Sequence, residues 1–182
     1  MLFRSCIISY TMENKNKILE KIFDRPTYKF HLRELARVTK LNPNTVSSLI
    51  SLLVKESLVK KEKRKHLIEV FFNFGNPSAI WVKKLFNLNR LQKSGIIDFL
   101  VDKYNPSSIS LIGSYSRGED YEISDIDIVV ISNNKSTFDL AFFEKKLKRK
   151  IHLIVSSNRD FSKEFNNNLI NGIVLWGVLS ND

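Results

Sequence analysis

The sequence predicts an α+β chain with two domains, and three observations support this prediction. Segments with helical periodicity alternate with short apolar or alternating runs that are typical of strands. A turn cluster at residues 75–77 separates a strongly basic part from a weakly charged one. The second part carries a Gly-Ser pair ahead of an Asp-x-Asp triplet. We therefore expect an N-terminal domain at residues 1–76, a helical connector at residues 77–106 and a small mixed-sheet domain at residues 107–182.

The composition is that of a folded, globular protein. Of the 182 residues, 43% are hydrophobic and 26% are charged, which is too hydrophobic for a disordered chain. The single cysteine, Cys6, excludes an internal disulfide framework and a cysteine-based zinc cage. Residues 1–10 are apolar, but the stretch is shorter than a membrane-spanning helix and lacks a signal-peptide cleavage site. We expect an irregular lead-in there, with Met12 as an alternative start, and a cytoplasmic protein without membrane contact.

The net charge of +10 is unevenly distributed. Residues 1–76 carry 15 Lys and Arg against 7 Asp and Glu, whereas residues 77–182 carry 14 against 12. An excess of this kind on one domain indicates an acidic partner, most simply nucleic acid. The alternative is a lysine-rich surface that maintains solubility.

The first domain shows three helical patterns followed by two strands. Periodicity predicts helices at residues 14–24 and 33–38, the second with Leu35, Ala36 and Val38 on its buried side. Asn42 is the expected N-cap of a third helix that opens at Pro43 and runs to residue 56. Residues 58–72 alternate in character around a basic tip, which predicts a hairpin. This order of elements resembles a winged helix-turn-helix domain.

The winged-helix resemblance implies contact with DNA. In such domains the third helix enters the major groove and the hairpin lies against phosphates. Amides and hydroxyls can read base edges, and lysines and arginines supply salt-dependent attraction. The residues implied at base edges are Asn44, Thr45, Ser47 and Ser48, and those implied at phosphates are Lys60, Lys61, Lys63, Arg64 and Lys65. Winged domains also serve protein contact or dimerisation, and a homodimer is expected because symmetric dimers read paired half-sites.

The connector and the second domain alternate helices with strands. Residues 78–104 suit one or two amphipathic helices, with a break at Ser94 and Gly95 and with Trp81, Leu85 and Leu91 on the apolar side. A buried strand follows at residues 107–112, then the Gly-Ser turn, a helical start and a second strand that opens with two carboxylates. The later pattern predicts a helix at 138–149, a strand at 150–155, and a helix that turns into a final apolar stretch with Trp176 in the core.

The Gly-Ser pair and the two carboxylates have complementary chemistry. Asp125 and Asp127 are two residues apart on an extended segment, so their side chains project from one face. Two adjacent carboxylates repel unless a cation lies between them, and oxygen ligands suit Mg²⁺ or Mn²⁺. Gly113 lets a phosphate approach the backbone, and Ser114 offers a hydroxyl and an N–H at a helix start. The pattern predicts a metal and phosphate site.

These residues resemble the motif of the DNA polymerase beta superfamily of nucleotidyltransferases, in particular its minimal archaeal and bacterial members. The matching features are Gly113-Ser114, a gap of ten residues and Asp125-x-Asp127, with residues 115–119 similar to the usual intervening sequence. The resemblance covers residues 107–178. It implies Mg²⁺ or Mn²⁺, an NTP substrate and transfer of a nucleoside monophosphate, most simply adenylyl, to a hydroxyl of a protein or nucleic acid. Small relatives are antitoxins that adenylylate a HEPN-type ribonuclease toxin, so an antitoxin-like role with a toxin-type partner is implied.

One position departs from the family pattern. Members usually carry a third carboxylate on a later strand, and here His152 occupies that position. Histidine can serve as a ligand or a general base, or the position can be degenerate; Asp139 and Asp160 are alternative acids. Arg117 either binds phosphate or pairs with Glu119 or Glu122. The alternative to an enzyme is a DNA-binding transcriptional regulator whose nucleotidyltransferase domain senses nucleotide or is inactive.

Overall fold

A computed structural model describes residues 2–64, 67–157 and 161–179, with the backbone alone for residues 2–10 and 64. The chain divides into two compact units, residues 1–80 and 81–182. Helices and strands mix in both units, as the α+β prediction expects. Within the described residues, no helix is both long and apolar enough to cross a membrane.

The first unit begins with three helices and a short strand. These are α1 (Leu2–Asp24), β1 (Phe30–His31), α2 (Leu32–Thr39) and α3 (Pro43–Lys55). The first helix starts at Leu2, so the expectation of an irregular lead-in over residues 1–10 is wrong. Its apolar stripe is buried together with α2 and α3. The buried core residues of these helices include Ile18, Ile22, Leu35, Val46, Ile50 and Leu53.

The turn between α2 and α3 follows the predicted capping. The Asn42 side chain accepts a hydrogen bond from the Asn44 N–H at 2.8 Å, and Pro43 occupies the first helical turn. The end of α2 differs from the prediction because Val38 is 39% exposed. Thr39 is buried instead, and its hydroxyl donates to the Leu35 carbonyl at 2.6 Å. That bond satisfies the buried hydroxyl within its own helix.

The predicted hairpin is present. Strands β2 (Val59–Arg64) and β3 (Leu67–Phe72) pair antiparallel, and β1 pairs antiparallel with the other edge of β3. The sheet order is therefore β1-β3-β2. Val70 and Phe72 are buried on alternate positions of β3. Lys65, at the predicted basic tip, lies outside the described residues.

Two helices separated at the predicted break lead to the second sheet. They are α4 (Pro77–Ser94) and α5 (Ile96–Tyr104), with Gly95 between them at φ 82°. The predicted apolar side of α4 is partly wrong, because Trp81 and Leu85 are more than half exposed. The buried stripe instead runs, at helical spacing, through Lys83, Asn87, Leu91 and Ser94.

The second unit is built on a four-stranded mixed sheet. Its elements are β4 (Ser108–Ile112), α6 (Gly113–Arg117), β5 (Ile126–Ile131), α7 (Ala141–Leu147), β6 (Ile151–Ser156), α8 (Lys163–Ile170) and β7 (Ile173–Gly177). The order is β6-β5-β4-β7, in which β5 and β6 are parallel and the other pairs antiparallel. The predicted strands and helices of this unit are confirmed within a few residues. Trp176 is 49% exposed on β7, so its expected place in the core is wrong.

The two faces of this sheet carry different hydrophobic clusters. Ile126, Ile128 and Val130 of β5 belong to the larger cluster, which α4, α5 and α7 also enter. Val129 and Ile131 belong to a smaller cluster with Leu169 of α8. Because alternate residues of a strand face opposite sides, Asp127 lies on the face of the smaller cluster. The sheet therefore presents this carboxylate at the start of β5, away from the main core.

Candidate functional site

The two motif carboxylates lie where β5 begins. Asp127 is the second residue of the strand and is in register with Ile112 on one side and His152 on the other. Asp125 immediately precedes the strand and is exposed. The Asp127 side chain retains 30% of its exposure. Both carboxylates are thus accessible from solvent at one end of the sheet.

Gly113 lies directly against the Asp127 carboxylate. It follows the last residue of β4 and has a φ of 74°, which favours glycine. A Cβ added at this position would collide with Asp127 Oδ2. The backbone conformation therefore favours glycine here, and any larger residue would also displace the Asp127 carboxylate. The structure brings together Gly113 and Asp127, two of the residues that the motif predicts at one site.

The turn after Gly113 is fixed by local hydrogen bonds. The Ser116 hydroxyl donates to the Gly113 carbonyl at 2.7 Å, and the Glu119 N–H donates to the Ser114 carbonyl at 3.0 Å. Gly118, at φ 77°, ends α6 in the left-handed conformation. Ser114 remains half-buried beside this turn. The predicted Gly-Ser turn is therefore held by hydrogen bonds within its own segment and lies next to Asp127.

His152 is hydrogen-bonded to Asp127. Its Nδ1 lies 3.1 Å from Asp127 Oδ1 across the parallel pair of β5 and β6. The tautomer that makes this bond with an ionised carboxylate has the proton on Nδ1, because such a carboxylate only accepts hydrogen bonds, and its Nε2 then carries the lone pair. The resemblance puts His152 at the position of the family's third acid, and this register sets it directly beside Asp127. Its role as catalyst or ligand stays a prediction.

The other predicted polar residues of the site have structural partners. Arg117 Nε donates to Glu119 Oε2 at 2.7 Å, and both side chains are about half exposed. Asp139 accepts the Ala141 N–H at 2.8 Å at the start of α7. Asp160 lies outside the described residues. In the part of the chain that the structure describes, no group of three or more His, Cys, Asp or Glu side chains is placed to hold a metal ion.

A cleft of about 630 Å³ is lined by Asp125 and by residues of α7, among them Ala141 and Glu144. Glu144 lies in its wall and accepts hydrogen bonds from Lys150 Nζ at 2.9 Å and from the Ile151 N–H at 3.0 Å. The bond from Lys150, with that from Ile151, holds the pKa of the Glu144 carboxyl below its usual value. The bond that Lys150 donates to Glu144 also raises the pKa of Lys150. Lys145 and Lys148 also line the cleft, whose charged residues are of both signs.

A buried polar network next to the motif was not predicted. Lys83 Nζ donates to the Asp120 carbonyl at 2.6 Å and to its carboxylate. Asn87 Nδ2 donates to the same carboxylate at 2.7 Å and to the Tyr115 carbonyl at 3.0 Å. Arg149 Nη2 lies 3.8 Å from Asp120 Oδ2. Burial lowers the pKa of Lys83, and the charge of Asp120 partly opposes that effect. A lysine in a helix is usually exposed to solvent. The one sequence signal for the burial of Lys83 was its helical spacing with Asn87 and Leu91.

The predicted DNA-contacting residues lie in the first unit. Asn44 and Ser48 are exposed near the start of α3, whereas Thr45 and Ser47 are half-buried. Lys60, Lys61 and Lys63 are exposed along β2. The side chain of Arg64 and all of Lys65 lie outside the described residues. Glu62, the acidic residue of β2 between Lys61 and Lys63, is neutralised by Lys29, whose Nζ lies 2.6 Å from its carboxylate.

Comparison with known proteins agrees with this geometry. Residues 93–174 match the family described as "Nucleotidyltransferase domain", and this range contains Gly113, Ser114, Asp125, Asp127 and His152. The chain is also similar to the "Putative protein adenylyltransferase" of Methanocaldococcus jannaschii, with 44% identity over 66 residues. That similarity covers 32% of this chain and 66% of the relative, so just under two thirds of the relative's length is matched. No solved structure matches the chain. Residues 93–174, which contain the motif, are therefore similar to a nucleotidyltransferase domain, as the motif predicts.

Proposed function

We propose that this protein transfers a nucleoside monophosphate, most simply adenylyl, from an NTP to a hydroxyl group of a protein or nucleic acid. The observation that carries the proposal is the contact between Gly113 and Asp127, which sets a side-chain-free backbone turn against a carboxylate. A phosphate can approach such a turn closely. The name of the archaeal relative supports adenylyl as the transferred group and a protein as acceptor.

Asp125 and Asp127 are the residues that would hold Mg²⁺ or Mn²⁺. Their carboxylates are solvent-accessible at one end of the sheet, and oxygen is the ligand that both ions prefer. Mg²⁺ is commonly bound through one or two carboxylates together with substrate phosphates. The donor set therefore fits an ion that arrives with the NTP. When bound, such an ion neutralises charge on the phosphate oxygens and orients the reacting groups.

The remaining residues of the site bind and orient the reactants. We assign the triphosphate to the Gly113-Ser114 turn, with Arg117 exchanging Glu119 for a phosphate oxygen. That exchange costs little, because exposed ion pairs contribute only about 0–1 kcal/mol. In the transfer, the acceptor oxygen bonds to the α-phosphorus, the bond from that phosphorus to the bridging oxygen breaks, and pyrophosphate leaves. We assign the acceptor proton to His152 Nε2, since Nδ1 is held by Asp127.

We also propose that the first unit binds DNA. The capped helix α3 presents uncharged polar residues near its start, and β2 presents three exposed lysines. This combination suits base edges and phosphates respectively. A winged helix-turn-helix would place them in adjacent grooves. The toxin-type protein partner and the homodimer are further parts of this proposal and rest on the family resemblance alone.

The test of transfer uses labelled ATP, Mg²⁺ or Mn²⁺ and a cell extract. The wild type is compared with Asp125→Asn/Asp127→Asn and with a matched control, Asp98→Asn/Asp102→Asn, which removes two exposed carboxylates from α5. We expect labelled acceptor with the wild type and the control, and none with the motif variant. Equal labelling by all three proteins, or by none, contradicts the proposal.

A second candidate function is favoured by His152. A site with a histidine in place of the third acid has one negative charge fewer, which weakens its hold on a hard cation. The protein would then be a DNA-binding regulator in which the second unit binds nucleotide without turning it over. This hypothesis expects ATP to change the affinity for DNA while no label is transferred. Label transfer by the wild type, and its loss in Asp125→Asn/Asp127→Asn, distinguishes the first function from the second.

A further inference from the structure

Lys83 is a buried lysine that the proposed chemistry does not use. It lies on the inner stripe of α4, and neither its side chain nor that of its partner Asp120 is more than 1% exposed. Burial lowers the pKa of Lys83, against the opposing effect of the Asp120 charge. Buried ions are retained only when they are paired and hydrogen-bonded. The hydrogen bonds of Lys83 and Asp120 therefore show which parts of the backbone the pair connects.

All of the bonds described for the pair converge on one segment, residues 118–125, which connects α6 to β5. From α4, Lys83 donates to both the carbonyl and the carboxylate of Asp120, and Asn87 donates to the carboxylate at 2.7 Å. Asn87 also donates to the Tyr115 carbonyl in α6 at 3.0 Å. The helix thus fixes both the turn that follows Gly113 and the segment that leads to the carboxylates.

Asp125 depends on this segment more than Asp127 does. Asp127 is held by pairing with strands on both sides. Asp125 precedes the strand, and between it and Asp120 the chain makes one tight turn. In that turn the Ser124 N–H donates to the Tyr121 carbonyl at 3.2 Å, and the Tyr121 N–H donates to Ser124 Oγ at 2.9 Å. An anchored Asp120 followed by a closed turn fixes the chain on the N-terminal side of Asp125, and the bond from the Ile126 N–H to the Lys150 carbonyl at 2.8 Å fixes the other side.

We propose that Lys83 and Asp120 form a positioning pair that sets Asp125 relative to Gly113 and Asp127. This inference rests on the proposed transfer for its catalytic consequence. Buried ion pairs can commonly be replaced by apolar residues of similar volume without loss of stability, so a buried pair is weak evidence for a purely stabilising role. Its specific contribution is to hold one backbone segment in a single arrangement.

The experiment replaces both charges together. Lys83→Met/Asp120→Leu removes both charges of the pair; it also takes the Asp120 carboxylate away from the buried Arg149, whose Nη2 lies 3.8 Å from it. Arg90→Met is the matched control, since Arg90 lies on the same helix and its side chain donates to the Leu147 carbonyl at 2.8 Å. Both variants are first compared with the wild type by thermal unfolding. Hydrogen exchange of the backbone amides of residues 118–125 is then measured, followed by kcat and KM for ATP.

We expect the double variant to unfold at or near the wild-type temperature and to exchange the amides of residues 118–125 about tenfold faster. Its kcat should fall about 10- to 100-fold, because a small misplacement of reacting groups has that effect, while the KM for ATP changes little. Arg90→Met should leave both exchange and kcat unaltered. If the double variant does not fold, Asn87→Ala, which keeps the ion pair and removes two bonds to the site, is measured in the same way.

Unchanged exchange in residues 118–125 overturns the proposal whatever the activity. Faster exchange with an unchanged kcat also overturns it, because the pair would then order the segment without bearing on the reaction. If the wild type transfers no nucleotide, the proposed function fails, and exchange still decides whether the pair positions the segment. The two failures are therefore distinguishable.

Discussion

Asp127 Oδ1 and His152 Nδ1 lie 3.1 Å apart on neighbouring parallel strands, so the residue at the third-acid position is coupled directly to a motif carboxylate. A carboxylate at position 152 would add an oxygen ligand beside Asp127. Mg²⁺ prefers such ligands over imidazole nitrogen. We therefore predict that His152→Asp binds Mg²⁺ with ATP more tightly than the wild type, by about 10-fold, which is the low end of the 10- to 100-fold range typical of changes around a metal site.

The measurement is a calorimetric titration of Mg²⁺ into the protein in the presence of a non-hydrolysable ATP analogue. His152→Asn is the matched control, because it removes the imidazole and has the size of aspartate without its charge. Equal affinities in His152→Asp and His152→Asn would show that position 152 does not contact the ion.

The contact between Gly113 and Asp127 gives a second prediction. Gly113→Ala forces a side chain into a conformation with φ 74° and against the carboxylate. The carboxylate is the mobile end of its side chain and can rotate away, so the stability cost is the backbone strain, about 1–2 kcal/mol. The displaced carboxylate should lower nucleotide transfer more than 100-fold, on the order of the loss that follows a 1 Å misplacement.

Gly95→Ala is the control for this variant. Gly95 has a φ of 82°, and a Cβ there meets nothing within 4 Å. Urea unfolding should therefore show similar losses of stability for the two variants, whereas only Gly113→Ala loses activity. Full activity in Gly113→Ala would mean that the turn does not need to approach Asp127.

The elements of the second unit could be predicted because each has a local signal. Gly113, Asp125 and Asp127 are marked by residue type and spacing, and Gly95 by its helix-breaking character. The network around Lys83 could not be predicted, since its partner Asp120 is far away in sequence and a helical lysine is usually solvated. The burial of Lys83 also explains why the prediction that Trp81 lies on the buried side of α4 is wrong. Polar residues of α4 occupy the inner stripe that an apolar pattern would have filled, and Trp81 is left on the exposed side.

The pair formed by Glu144 and Lys150 predicts a pH dependence of stability. The hydrogen bonds from Lys150 and Ile151 lower the pKa of Glu144 in the folded protein below its ordinary value of 4.5. The folded state therefore binds fewer protons than the unfolded state just below that value. The stabilisation is present above pH 4.5 and is lost as the pH falls through the lower, folded pKa.

Glu144→Gln removes this contribution. We expect its free energy of unfolding, measured by urea titration, to fall less than that of the wild type between pH 7 and pH 3. Glu164→Gln, an exposed carboxylate near the start of α8, is the comparison. A wild type and a Glu144→Gln variant with parallel pH profiles would show that the pair does not affect stability.

The lysines of β2 give a prediction about nucleic acid. If Lys61 and Lys63 contact phosphates, each releases about one counterion, and the slope of log K against log salt falls by about 0.9 for each lysine that no longer neutralises a phosphate. Lys61→Gln/Lys63→Gln should therefore bind duplex DNA more weakly at low salt and with a slope smaller by about 2. Lys135→Gln/Lys163→Gln removes the same charge from exposed positions of the second unit and should leave the slope unaltered. Fluorescence anisotropy over a range of salt concentrations measures both. Equal slopes for the two variants would assign the attraction to net charge alone and remove the hairpin from the DNA contact.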